Sequence, residues 1–366
     1  MNRLLFLSLI VALTACANAL QEQGKFIEIN EDAMLDDMAD LVESVRFVAL
    51  QMPEDAYLTL IGVICEDGRI YSQDLYQRIF VHDMNGAFLN LLDRRGRGPG
   101  EYNTLSDFYV DDEYLYVLDE LMQKIFVYDN VSLQFIRDIQ VPFRAHDFIV
   151  LNDGGFLFAK FPRQNFNEQD ENKRYRVIVT DADLNVREKF LPFGADDYDA
   201  LIIQSLSTDG DRIYFSSFDE DAFYVFDRNE GRLIDKVNLN FDNPIPENKR
   251  NDFTDINEGG YSCLLSVPFF CGDYMVLACG KLCEGRYHLY DGTNFHRGGK
   301  VLKENEISNV CGTVGNEFVS SWGGGAQVYE DNVSNGFNRA EPEVEAQILD
   351  DVPYLIFYRM KEQAKE

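Results

Sequence analysis

The sequence predicts an all-β protein, a six-bladed β-propeller of four-stranded antiparallel blades. Three observations lead there. First, an outline of strand, Asp, strand, Asp recurs as GRIYSQD…RIFVHD at 68–83, EYLYVLD…KIFVYD at 113–129 and DRIYFSSFDEDAFYVFD at 211–227. Second, Tyr71, Tyr116 and Tyr214 mark the second strand of their units at separations of 45 and 98 residues, the latter spanning two repeats. Third, the runs alternate aromatic and β-branched residues over about five positions between Asp, Asn and Gly, as half-buried strands do. A four-stranded meander cannot bury both faces alone. Repeated at a period of about 40–60 residues, it closes into a propeller.

The elements follow in chain order. Residues 1–15 read as a signal peptide, with Arg3 before an apolar core at 4–13 too short for a membrane span. Leu13-Thr14-Ala15-Cys16 looks like a bacterial lipobox, which makes Cys16 the expected site of lipidation. Residues 16–40 are then an N-terminal segment and 41–366 a single propeller domain. Strands are expected at 25–30 and 44–51, with an acidic loop or short helix over 31–43. The first repeat spans 60–65, 69–73, 78–82 and 87–92, and the second 107–110, 114–118, 124–128 and 135–139. The third spans 146–192 and the fourth is centred on 211–227. The fifth reads 264–270, 273–279, 285–292 and 299–304. The sixth holds 308–314, 316–322 and 353–361 around a polar insertion, one strand short. The strand at 44–51 is expected to complete that blade and join the ends of the ring, leaving only short, protected edges.

Composition bounds the function. The 366 residues are 46% hydrophobic and 13% aromatic, enough for a sizeable core, and carry a net charge of −30. Removing residues 1–15 takes away Arg3 and no acid, so −30 becomes −31. Such an excess opposes nucleic acid and anionic lipid headgroups, so any membrane contact is expected through the lipid alone. Besides Cys16 there are Cys65, Cys263, Cys271, Cys279, Cys283 and Cys311. Up to three disulfides, or free thiols buried in strands, are both open. Cys279 and Cys283 lack the second pair a zinc site needs, and no metal site is expected from them.

The loop GRGPGEY at 96–102, followed by SDFYVDD and YVLD, resembles the six-bladed β-propeller lipoproteins of Bacteroidetes, which are related in architecture to NHL-repeat propellers. The resemblance covers nearly the whole mature chain. It implies a fold and a cell-envelope address, and it carries no catalytic residues.

Two constellations could carry chemistry. The loop 93–102 gathers Arg94, Arg95 and Arg97 with Glu101 and Tyr102 on a Gly-rich backbone that could cradle an anion. It also suits a tight crossover between blades, with the arginines paired to Glu101 and nearby Asp. The second set lies where innermost strands begin at the channel mouth: Asp107, Arg144, His146 and Asp147. These could converge on one ligand, or the aspartates could cap turns. Asp181-Ala-Asp-Leu-Asn185 lacks the Gly and Glu of a calcium loop and reads as a hairpin turn. No nucleophile elbow or His-Glu-x-x-His is present.

The expected function is a lipid-anchored, periplasm-facing, monomeric binding module for a glycan, a peptide or an envelope protein, with no cofactor evident. The alternative is a metal-dependent lactonase, lyase or hydrolase with Ca²⁺ at the channel mouth, as some six-bladed propellers are.

Overall fold

The structure is a computed structural model that describes residues 25–53, 60–161, 174–194, 204–218, 220–250, 253–282, 284–322 and 325–363. The signal peptide, Cys16, Cys283, and the acidic positions Asp196, Asp197, Asp199 and Asp219 lie outside the described residues.

Two strands precede the first blade, β1 (Lys25–Ile29) and β2 (Val42–Ala49), with 3-10 turns at Glu31–Ala33 and Met38–Leu41 between them. Blade 1 is β3 (Leu60–Glu66), β4 (Arg69–Asp74), β5 (Ile79–Asp83) and β6 (Phe88–Leu92). Blade 2 is β7 (Asp107–Val110), β8 (Tyr114–Asp119), β9 (Lys124–Asp129) and β10 (Phe135–Gln140). Blade 3 is β11 (Asp147–Val150), β12 (Phe156–Ala159), β13 (Tyr175–Thr180) and β14 (Val186–Pro192). Blade 4 is β15 (Leu206–Asp209), β16 (Arg212–Ser216), β17 (Ala222–Asp227) and β18 (Leu233–Phe241). A short helix, α1 (Phe253–Gly259), leads to blade 5: β19 (Ser262–Leu264), β20 (Phe269–Cys271), β21 (Tyr274–Lys281), β22 (Arg286–Tyr290) and β23 (Phe295–His296). Blade 6 is β24 (Val310–Val314), β25 (Glu317–Ser321), the helices α2 (Gly325–Ser334) and α3 (Pro342–Leu349), and β26 (Tyr354–Met360).

The six sheets form a ring, a six-bladed β-propeller. The first strand of each blade touches the first strand of the next, from β3 through β7, β11, β15, β20 and β24 back to β3, so these six line the axis. β2 pairs antiparallel with β26 as the outermost strand of blade 6, which closes the ring. Phe47 of β2 adds aromatic contacts to Tyr329, Phe337 and Tyr354, which fastens α2 and the insertion to the closing strand.

The repeated Asp has a local cause. Asp83 Oδ1 accepts from Asn85 and Ala87 N–H at 2.8 and 2.9 Å. Asp129 Oδ1 accepts from Ser132 N–H at 2.7 Å, and Asp227 from Glu230 and Arg232 N–H at 2.9 Å. Asp181 and Asp291 do the same in blades 3 and 5. Each is a side-chain-capped turn that fixes the register of the third and fourth strands. The hairpin expected at residues 181–185 is among them.

Blade 5 departs from expectation twice. Its outer strand is β23, set by the Asp291 turn so that Phe295 faces Tyr290 and His296 faces Leu289. The stretch 299–304 is not a strand. The chain turns away at Gly298, where a Cβ would sit 1.9 Å from the Tyr287 carbonyl oxygen. The inner strand is split into β19 and β20, both paired with β21, and Pro268, which has no N–H to donate, falls in the gap.

The two faces of the ring differ. On one, the turn face, strands join through tight turns such as Asp67-Gly68, Gly210-Asp211 and Gly315-Asn316. On the other, the loop face, lie the connections 93–106, 141–146, 242–261 and 297–309 and the helices α2 and α3. β1 joins blade 4 as a fifth strand, parallel to β18, in the register Lys25↔Val237 to Ile29↔Phe241. β18 ends at the loop face, so β1 also runs toward that face, from Lys25 opposite the middle of β18. Among the described residues no helix is long and apolar enough to cross a membrane.

Candidate functional site

All six blades contribute to a cavity of about 280 Å³ on the axis. Two larger hollows, of about 490 and 680 Å³, lie where only neighbouring segments meet, so the axial cavity is where residues from the whole chain converge. At its loop-face mouth stand Ser106, Asp107, His146, Asp147 and Gln204.

Asp107 and Asp147 open neighbouring inner strands, and each reaches one blade onward. Asp107 Oδ2 accepts from Phe148 N–H at 3.0 Å. Asp147 Oδ2 accepts from Ser205 N–H at 3.0 Å, Leu206 N–H at 2.9 Å and Ser205 Oγ–H at 3.1 Å. Gln73 and Ser207 make the same kind of link elsewhere, donating to Leu105 O at 3.1 Å and Pro268 O at 2.6 Å. The inner strands of adjacent blades share no ladder, so these side chains supply the stitches between them.

Burial pushes the Asp107 carboxyl well up from the ordinary carboxylate range, and the neighbouring Asp147 carboxylate pushes the same way. Burial also raises Asp147, opposed by its hydrogen bond from Asp107 and by its N–H donors. Burial and a neighbouring like charge both disfavour ionisation of Asp107. His146 is pushed down to about 3 by burial and is therefore neutral. Its ring stacks on Phe161 at 3.5 Å, and its Nε2 lies 2.9 Å from Ser205 Oγ.

Ser205, His146 and Asp147 together do not form a catalytic triad. The carboxylate contacts the serine rather than His146 Nδ1, which is buried with no partner. Ser205 is itself buried, so its hydroxyl is not presented to the cavity. The three hold the mouth of blades 3 and 4 in shape.

Sequence reasoning missed the other end of the cavity. Arg228, on the turn after β17, passes beneath blade 3 and donates to the Tyr109 hydroxyl of blade 2, with its guanidinium 5.7 Å from the ring. Arg228 N–H and C=O are tied to Asp211 O and Asn152 N–H, at 2.8 and 2.9 Å. The half-buried Glu66 of blade 1 faces it, its carboxyl raised by burial, with Arg228 pulling the other way. Arg228 and Tyr109 thus narrow the turn-face end, while the loop-face end carries the polar mouth. No local pattern marks these residues, because they come from three blades.

The loop 93–102 sits on the loop face. Glu101 accepts from Gly98 N–H at 2.7 Å, and Tyr102 N–H and O pair with Arg94 O and Gly96 N–H. Tyr102 is fully buried between blades 1 and 2, its hydroxyl donating to Gln77 O at 2.8 Å. Gly100, at φ +71, lies where a Cβ would meet the Phe135 ring at 2.5 Å. Glu101 and Tyr102 therefore shape the crossover. Arg94, Arg95 and Arg97 point to solvent, as does Arg144, and none of the four lines the cavity. The structure brings Asp107, His146 and Asp147 together and leaves Arg95, Arg97 and Arg144 apart from them.

The described cysteines Cys65, Cys263, Cys271, Cys279 and Cys311 are free. Among the described residues no group of three His, Cys, Asp or Glu is placed to hold a metal ion.

A family model described as a domain of unknown function (DUF4934) matches residues 25–311. No curated protein matches. A crystal structure from Bacteroides fragilis, named as an inferred exported protein, is 18% identical, covers 92% of this chain and 99% of its own, and has a TM-score of 0.73. A member of the DUF4221 family from Bacteroides vulgatus is 10% identical over 88% of this chain and 98% of its own, at a TM-score of 0.48. BamB from Moraxella catarrhalis is 12% identical over 83% of this chain and 70% of its own, at 0.36. The first of these shares the fold.

Proposed function

The chain belongs to the DUF4934 family, and from that premise we propose that it is a cell-envelope binding module that takes its ligand at the loop-face mouth of the channel. One observation carries this reading. The axial cavity has a polar mouth on the face that holds the long connections, and the opposite end is narrowed by Arg228 and Tyr109. Polar groups at the entrance and apolar walls below them suit the end of a peptide or glycan. Ser106, Gln204, Thr208 and Thr313 supply neutral hydrogen-bonding groups along it.

The carboxylates that a metal-dependent hydrolase would recruit are turned to inter-blade N–H donors, so the geometry favours binding over that chemistry. The leader reading of residues 1–15 and the lipobox ending at Cys16 support an exported, lipid-anchored protein. The inferred export in the name of the Bacteroides fragilis protein agrees with it.

The test is a thermal-shift screen of the full chain against short peptides and oligosaccharides, repeated on Thr313→Trp, which fills the cavity from blade 6. A ligand at about 100 times its Kd adds about 2.7 kcal/mol to stability. The proposal expects that shift to vanish in Thr313→Trp; a shift that survives the filled channel places the ligand elsewhere.

A further inference from the structure

The loop face of blades 1 and 2 carries a second feature, which the channel does not use. Residues 93–104 are clamped between the turn before β5 and the turn before β9. On one side Tyr102 Oη–H donates to Gln77 O at 2.8 Å. On the other, the buried Asp119 accepts from Asn103 N–H at 2.7 Å and Thr104 N–H at 3.0 Å, and from Met122 N–H at 2.8 Å. Three segments that would otherwise be separate loops therefore form one surface.

On that surface stand Leu75, Tyr76 and Leu121, 64%, 59% and 60% exposed. The same clamped surface carries the exposed Arg94, Arg95 and Arg97, and among the described residues their guanidiniums have no ion-pair or hydrogen-bond partner. Several other arginines are engaged, Arg78 with Asp74, Arg46 with Glu317 and Arg250 with Asp221. Residues 93–102 hold three Arg against Asp93 and Glu101, a local balance of +1 in a chain of net charge −30. Glu101 is partly committed to Gly98 N–H.

Exposed large apolar side chains beside unengaged guanidiniums match a partner that offers carboxylates next to apolar groups. We infer that this surface docks a protein segment of that chemistry. An anionic membrane would offer the same two contacts, and the net charge of −30 opposes approach to such a surface. The docking surface does not depend on ligand binding in the channel.

The experiment places a photo-crosslinking residue at Tyr76 or Leu121 on the loop face, and at Val131 on the turn face as control, in the full chain in its own cell envelope. The inference expects a protein adduct at Tyr76 and Leu121 at roughly tenfold the level at Val131. The crosslinked peptide of the partner should contain Asp or Glu beside apolar residues. The adduct should disappear in Arg94→Glu/Arg95→Glu/Arg97→Glu and, independently, in Tyr76→Ser/Leu121→Ser, both with the parental melting temperature. Equal labelling at all three positions, or adducts indifferent to the charge reversals, would overturn it. So would lipid adducts, or sedimentation with phosphatidylglycerol vesicles that the charge reversals abolish. Cys16→Ser separates the two readings: if it stays membrane-bound, the anchor fails, while the adducts at Tyr76 and Leu121 still decide the docking surface.

Discussion

Asp107 and Asp147 sit at the starts of adjacent inner strands, and each accepts backbone N–H from the following blade, Asp107 from Phe148 and Asp147 from Ser205 and Leu206. The pair marks the channel mouth and at the same time joins blades 2, 3 and 4.

The first consequence concerns pH. A carboxyl raised in the folded state binds its proton more tightly there than in the unfolded chain. Its stabilisation is full below the unfolded value of about 3.9 and is lost as pH rises through the folded value. Asp107→Asn keeps an acceptor for Phe148 N–H and removes the charge. Urea unfolding at about pH 5 and about pH 8 should show the parent losing stability relative to Asp107→Asn as pH rises. Asp107→Ala, which orphans that N–H, should be about 1–3 kcal/mol less stable than Asp107→Asn at either pH. A pH-independent difference between parent and Asp107→Asn would deny the raised Asp107 carboxyl.

The ring closure can be weighed through Phe47. It is buried in β2 against Tyr329, Phe337 and Tyr354, so Phe47→Ala should cost about 3–5 kcal/mol in chemical unfolding. A loss near that of an exposed site such as Val131→Ala would mean that β2 does not close the ring.

Gly100 tests the crossover. Gly100→Ala meets both a positive φ and the Phe135 ring, and should destabilise by about 1–3 kcal/mol. Gly210→Ala, also at positive φ but with open space around it, should cost less, about 1 kcal/mol. Equal losses would show that the ring contact is unimportant.

The thiols offer a chemical check. Burial pushes Cys263 and Cys271 up to about 12 and Cys311 up to about 11, and raises Cys65 and Cys279 as well. Cys65 and Cys311 are half-buried along the axial cavity, whereas Cys263, Cys271 and Cys279 are buried. Thiolate is the reactive form, so those three should resist an aromatic disulfide reagent in the native protein and react on unfolding, by mass spectrometry. Native labelling of any of the three would contradict their burial.

Much of this fold was legible because each capped turn writes an Asp into the sequence, and Asp83, Asp129 and Asp227 repeat at the same place in their blades. Where local signals ran out, reading failed. The short β23 depends on the Asp291 turn and on the close approach at Gly298, which composition does not reveal. β1 pairs with a strand some two hundred residues away, and nothing in KFIEI specifies blade 4. The site was half legible: Asp107, His146 and Asp147 begin strands and so could be aligned, whereas Glu66, Tyr109 and Arg228 meet only once the ring has closed.

The most direct test of the channel as the binding site is hydrogen–deuterium exchange of the full chain with and without a ligand from the thermal screen. Binding at the mouth predicts slowed exchange at residues 104–108 and 145–148, with the turns at 67–68 and 210–211 unchanged. Protection confined to those turns, or to the rim strands β10 and β14, would contradict it.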